Sequence, residues 1–425
     1  MKKIIRPFST AFMLAAFLFI SACDDSGDVP VQCEPAEWSA TISGADEIIG
    51  AYPDLYSNYW EYTWSIMDNP DAILCLKGTF PHCRYFSFSL YNDLTGSAIG
   101  GIDDVNIIPD NNSVNPFMHT THSNGTFTVY IVPAGVSDAT VAKLDSKNIC
   151  RIDAGVEKAV VMMRHYLGTD GEGNPDEFGG VAMPAITALS ASDLSPVNAP
   201  KHILSNVYNA TSQVYVQKSD EYPEMPFFLA PVSKYYPNNS TAYLYARTHI
   251  HTGEVLTFSF IPALVPTAPE ENLSSPARYW SICLGSAADT RSYVSTCDRD
   301  AVWKSGEKSE FVVVLASNPD LDKIRDKIKE ENLAGERVNL LVWDSGKVNI
   351  DGKPIGETIA FMYRNILPDK SWPHSIANMI PTDYMDAAGE PIDHVTDPSR
   401  QIADIALGDY GPRGIKISTD EFLAR

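Results

Sequence analysis

The run Tyr243 to His251 holds the residue types best placed to do chemistry. Read as a β-strand, its alternation sends Tyr243, Tyr245, Arg247, His249 and His251 to one face and Leu244, Ala246 and Ile250 to the other. Aromatic rings, a guanidinium and two imidazoles on one surface suit stacking against a sugar or the capture of an anionic ligand. His-x-His on a strand also aims two imidazoles at one point, the way a transition metal is held, and Glu254 just beyond is a candidate third ligand. The competing reading is a solvent-facing strand that ends at the Gly253 turn with its histidines at the tip.

Three other constellations have a chemical and a plain reading. The loop Asp170 to Glu177 alternates oxygen donors as a Ca²⁺ loop does, yet Pro175 and the lack of a distal glutamate at EF-hand spacing favour a solvated acidic loop. His119 and His122 lie among loop-forming residues and read as a surface pair without a role. Arg84-Tyr85 and Arg278-Tyr279, each followed by an aromatic and a serine, repeat the same motif. Repetition argues for a structural role, in which an arginine crosses a sandwich to a carboxylate, with Asp103, Asp104 or Asp298 as partner, because a buried arginine must be paired.

No Gly-x-Ser-x-Gly elbow, His-Glu-x-x-His, phosphate-cradling loop, dinucleotide fingerprint or haem-attachment motif occurs in the chain. A glycosidase needs only two carboxylates brought together in space. The main expectation is therefore a binding or structural protein, with an envelope hydrolase acting on carbohydrate as the alternative. No cofactor is expected beyond a Ca²⁺ or transition-metal ion at the places above.

These elements must be carried by an exported chain. Lys2, Lys3 and Arg6 precede the apolar run Ala11 to Ile20, too short to span a bilayer, and small residues lead to Cys23. Phe19-Ile20-Ser21-Ala22-Cys23 resembles a lipobox, so residues 1–22 are expected to be a signal peptide and Cys23 the lipidated first mature residue. Two or three acyl chains anchor almost permanently, each buried methylene contributing roughly 0.8 kcal/mol. Asp24 and Asp25 follow, like the inner-membrane retention signal of enteric lipoproteins; inner and outer membrane both stay open. The expected location is the cell envelope, with a membrane as partner through the lipid and a small molecule, carbohydrate or envelope protein as ligand. The formal charge of −22, which becomes −25 once those three basic residues are gone, argues against nucleic acid.

Besides Cys23 there are six cysteines, Cys33, Cys75, Cys83, Cys150, Cys283 and Cys297. An even number in an exported chain favours disulfides. Cys283 and Cys297 flank a short polar excursion between two strand-like runs and are the expected bridge; pairing of the other four is open.

Strand-type periodicity dominates, and two long stretches carry the same elements in the same order. Asn58-Tyr59-Trp60 matches Ala242-Tyr243-Leu244; Ala72 to Leu76 matches Val255 to Ile261; Arg84 to Ser87 matches Arg278 to Ser281. Phe127 to Val132 matches Phe311 to Leu315, and the closing strands Val160 to Tyr166 and Thr358 to Tyr363 are accompanied by Arg164 and Arg364. Helical spacing is clear only at Asp320 to Leu333 and weaker at Asp138 to Leu144. The expected fold is all-β: two duplicated, jelly-roll-like β-sandwich domains with few short helices. The expected boundaries are a flexible tether over 23–37, sandwiches over 38–169 and 201–425, the second with a C-terminal extension, and a linker over 170–200.

Arg278-Tyr279-Trp280-Ser281-Ile282-Cys283, Pro266-Thr267-Ala268-Pro269, Gly179-Gly180-Val181 with Pro184, and Gly408-Asp409-Tyr410-Gly411-Pro412-Arg413-Gly414 resemble a family of uncharacterised bacterial exported proteins and lipoproteins. The resemblance implies tandem β-sandwich domains of unknown function and an envelope location, and no activity. Departures from it are the charged helix after Asn318 and the 385–402 region.

Overall fold

Aromatic and β-branched residues at every second position make strands with one wholly apolar face, and each such strand needs a second sheet to cover it. The computed structural model describes residues 33–46, 50–120, 125–209, 223–229, 236–379 and 402–425. The expected signal peptide and Cys23 lie outside the described residues, as does His122. Among the described residues no helix is long and apolar enough to cross a membrane.

The first sandwich contains β1 (Ile42–Ser43), β2 (Ser57–Ser65), β3 (Ala72–Thr79), β4 (Tyr85–Asn92), β5 (Ser97–Asp103), β6 (Thr126–Val132), β7 (Ile149–Arg151), β8 (Lys158–Tyr166), β9 (Ala185–Ser190) and β10 (Pro196–Val197). Sheet order β1-β2-β8-β4-β5 faces β10-β9-β3-β6-β7. Trp60, Tyr62 and Trp64 from one sheet meet Leu74, Leu76, Phe127 and Val129 from the other.

The second sandwich contains β11 (Glu224–Pro226), β12 (Phe228–Leu229), β13 (Thr241–His249), β14 (Glu254–Phe260), β15 (Tyr279–Ser286), β16 (Ser292–Cys297), β17 (Ser309–Leu315), β18 (Val338–Trp343), β19 (Thr358–Ile366) and β20 (Arg413–Ser418). Its orders, β12-β13-β19-β15-β16 and β11-β20-β14-β17-β18, repeat those of the first sandwich except at one edge, where β11 opens its sandwich in chain order and β10 closes its own. The fold is thus all-β with sandwich domains, as the periodicity requires.

One feature departs from a purely antiparallel jelly roll. β6 pairs with β7, and β17 with β18, in parallel. A parallel pair needs a crossover connection, and α1 (Asp138–Val141) and α2 (Leu321–Leu333) lie within those connections. Ile324 and Ile328 of α2 pack on Val255, Val312 and Val314, so the charged helix after Asn318 covers the outer face of its own sheet.

Two expectations are corrected. Residues 170–200 are not simply a linker: β9 pairs with β3 along six residues, Ala72 to Lys77, and its Ile186 and Ala188 enter the first core. The Gly and Pro around it hid a short buried strand. Cys283 and Cys297 are free thiols, not a disulfide. Register pairs Cys283 with Ser295 and Ser281 with Cys297, leaving the cysteines diagonal to each other. Diagonal neighbours lie roughly 7–8 Å apart, beyond the usual span of a disulfide. Burial pushes the Cys297 thiol up to about 12.

The repeated motif arginines, Arg84 and Arg278, stand immediately before β4 and β15. Arg84 pairs with Asp298 at 2.7 Å, and Arg278 with Asp104 at 3.4 Å, so each motif reaches the other sandwich rather than crossing its own. Asp104 is wholly enclosed; burial pushes its carboxyl up to about 7, against the pull of the Arg278 guanidinium. A raised carboxyl stabilises the fold most fully below its unfolded value near 4 and loses that contribution as pH rises through about 7. Between those limits the melting temperature of the native chain should fall with rising pH relative to Asp104→Asn, which keeps an acceptor for the Phe86 N–H. Parallel thermal unfolding curves would show that Asp104 does not titrate in that window.

Candidate metal centre

β13 pairs with β19 from Thr241↔Ile366 to His249↔Thr358. Leu244, Ala246 and Ile250 enter the second core, so the odd-numbered residues face outward. That outward face is filled from the middle. Tyr245 is buried against the rings of Tyr52 and Phe228, at 6.2 and 5.7 Å. Tyr243 lies beside the Arg364 guanidinium, 5.8 Å from its ring centroid, and its hydroxyl accepts from Asn238 N. Arg247 is half-buried. The tyrosines of the expected ligand surface are therefore packed by the protein itself, and what opens to solvent is the far end.

There His249 is half-buried and His251 exposed, with ring centroids 4.5 Å apart. Ile250 between them is pinned in the core, which holds both imidazoles on the same side. The antiparallel partner brings in Glu357, whose Oε2 lies 3.3 Å from His249 Nε2. One donor atom from each of His249, His251 and Glu357 lies within 4.8 Å of the others, and among the described residues this is the one such trio of His, Cys, Asp or Glu. Two donors about 2.1 Å from a tetrahedral zinc lie roughly 3.4 Å apart. The His249–Glu357 separation of 3.3 Å already matches, and His251, the third donor, is exposed.

Thr358 fixes the imidazole from behind. Its Oγ1 lies 3.1 Å from His249 Nδ1, which leaves Nε2 for the site. Such outer contacts set ligand tautomer and orientation.

Glu254 is not the third donor. Its Oε2 accepts from the His251 N–H at 2.8 Å, and Glu254 N donates to His251 O, closing the turn at Gly253 (φ 91°). Nearness in sequence misled: a carboxylate three residues along a tight turn reaches its own backbone, while the neighbouring strand supplies the closer one. The signal for Glu357 was the repeat. Ile66 N donates to Glu157 O as Ile250 N donates to Glu357 O, so each copy has a glutamate at this corner.

The other constellations have different fates. Asp170 Oδ1 accepts from the N–H groups of Glu172 and Asn174, and Oδ2 from Asn174 Nδ2. The Asn174 side chain, aided by the Glu172 N–H, holds this carboxyl below its usual range. Its oxygens thus brace the loop. His119 lies in an exposed stretch. A groove of about 440 Å³ runs beside Trp38, Glu34, Glu37, Lys201 and His202. His202 Nε2 is anchored 2.9 Å from buried Glu61, which also accepts from Thr63 Oγ1.

No family model and no curated protein matches the chain. Among solved structures it is similar to an uncharacterised protein from Burkholderia cenocepacia, with 11% identity and a TM-score of 0.49 over 91% of this chain and 82% of that one. It is also similar to a protein from Vibrio parahaemolyticus, with 8% identity and a TM-score of 0.35 over 77% of this chain and 88% of that one.

The first sandwich is an internal control. Ser65, Met67 and Glu157 stand where the second has His249, His251 and Glu357, so the fold does not itself require the imidazoles. The double substitution Ser65→His, Met67→His, which copies this donor set onto the first sandwich, should add one zinc equivalent to the native chain's count in elemental analysis after gel filtration. An unchanged count would mean that two imidazoles and a glutamate at this corner are not enough.

Proposed function

We propose that this chain is a lipid-anchored protein of the cell envelope whose role is binding, and that its ligand is a divalent transition-metal ion held by His249, His251 and Glu357. The observation that carries the reading is the convergence of two imidazoles and a carboxylate within 4.8 Å at the solvent-facing end of β13. Nitrogen-rich donors with one carboxylate suit zinc or its first-row neighbours rather than Ca²⁺ or Mg²⁺, which take oxygen sets. Three donors leave at least one coordination position for water or an outside ligand. The envelope location is supported by the basic, apolar and small-residue order that leads to Cys23.

Zinc titration of the purified chain, made without a histidine tag, tests the first half. One equivalent should bind, His249→Ala and Glu357→Ala should each remove it, and Thr358→Ala should weaken it by about 10–100-fold. A titration curve unchanged by His249→Ala would sink the assignment. For the anchor, Cys23→Ala should move the protein from the membrane fraction to the soluble fraction; a mutant still in the membrane pellet would require another attachment.

A further inference from the structure

The segment before β2 and the segment before β13 do the same thing in opposite directions. Tyr52 belongs to the first copy, yet its N–H donates to Thr290 O at 2.6 Å and its ring packs on Tyr245 of the second. Its carbonyl accepts from the buried Arg364 guanidinium. Tyr236 belongs to the second copy, yet its N–H donates to Gly96 O at 2.9 Å and its ring packs on Tyr91 of the first at 5.2 Å. Its carbonyl accepts from Arg164 Nη2 at 2.9 Å. Thr290 and Gly96 are equivalent positions of the repeat, as are Arg364 and Arg164.

The reciprocity continues one step along each arm. Asp54 accepts from Tyr279 Oη and Ser281 Oγ of the second sandwich, at 3.1 and 2.6 Å, and lies 3.3 Å from Arg364. Asn238 accepts from Tyr85 Oη of the first at 3.1 Å. With Arg84–Asp298 and Arg278–Asp104, each sandwich supplies the other with an arm, an arginine and an aspartate. Tyr52 and Tyr236 both hold left-handed backbone angles, φ 53° and 57°, a costly conformation for tyrosine that the exchanged bonds on both sides of it hold in place.

We infer that the surface formed by β13-β19-β15, and its counterpart β2-β8-β4, is a docking face whose partner is another sandwich of the same design, and that this chain is an arm-exchanged dimer fused into one polypeptide. Each outer face carries a guanidinium that burial makes costly unless the partner's arm covers and pairs it. The two sandwiches therefore act as obligate partners, and the covalent connection between them is dispensable once they have met.

The test is to insert a protease recognition sequence between Gln213 and Val214 of the full chain, fold it, and cut it. The two fragments should co-elute as a stoichiometric complex in gel filtration, and the cut protein should keep the near-ultraviolet spectrum of the intact one. In the same cut protein, Tyr52→Ala with Tyr236→Ala should lower the urea concentration at which the fragments part. Separation of the unmutated fragments without denaturant, whether they stay folded or aggregate, overturns the inference. So does a cut protein whose dissociation is indifferent to both tyrosines.

Discussion

Arg364 sits with its guanidinium wholly enclosed, and much of the architecture follows from the need to satisfy it. An ionised group of that size loses several kcal/mol of hydration on burial, and only close opposite charge with full hydrogen bonding offsets the loss. The second sandwich meets part of the need with Cys283, whose sulfur lies 2.7 Å from Nη1. Its own Tyr243 ring lies 5.8 Å from the guanidinium, and the remaining partners, Asp54 and the Tyr52 carbonyl, come from the other copy. The route of residues 50–56 and the facing of the two sheets are consequences of that pairing.

The first copy solves the same problem in another way. Arg164 lies between the Tyr59 and Tyr91 rings, 5.6 and 5.5 Å from their centroids, and takes the Tyr236 carbonyl, with neutral Asn238 where its counterpart has Asp54. Ring faces carry part of the cation's stabilisation there. Comparing the copies separates what the scaffold demands from what one copy has added. The arginine, the arm and the reciprocal pairs Arg84–Asp298 and Arg278–Asp104 recur; the arm's Asp54 and the imidazoles at His249 and His251 do not. A feature absent from the twin is one the sandwich can do without, which makes it the better candidate for function.

Much of this was legible from residue order. Alternation of Leu244, Ala246 and Ile250 with outward residues assigned the faces of β13, and the paired Arg-Tyr-aromatic-Ser motifs left Asp103, Asp104 and Asp298 as carboxylate partners, of which the structure pairs Asp104 and Asp298. Sequence could not say that those partners belong to the opposite copy, because a motif fixes chemistry and leaves topology free. Two local distances and one short strand are also not readable from residue order. Cys283 and Cys297 are close along a hairpin yet diagonal in register, Glu254 is consumed by its own turn, and β9 is too short and too surrounded by Gly and Pro to show a period. Glu357 was hidden for the opposite reason: only the β13–β19 ladder brings it beside His249.

The described contacts ahead of β2 have a mechanical meaning. Ala36 is bridged to Ile186, β1 lies at a sheet edge, and Tyr52, ahead of β2, is bonded to the second sandwich. A pull on the N-terminal side, such as a membrane tether would exert, therefore loads backbone bonds to both sandwiches before it can peel β2 away from β8. Tension is shared between two cores instead of unzipping one, and the arm behaves as a strain relief at the point where a cable would enter its housing.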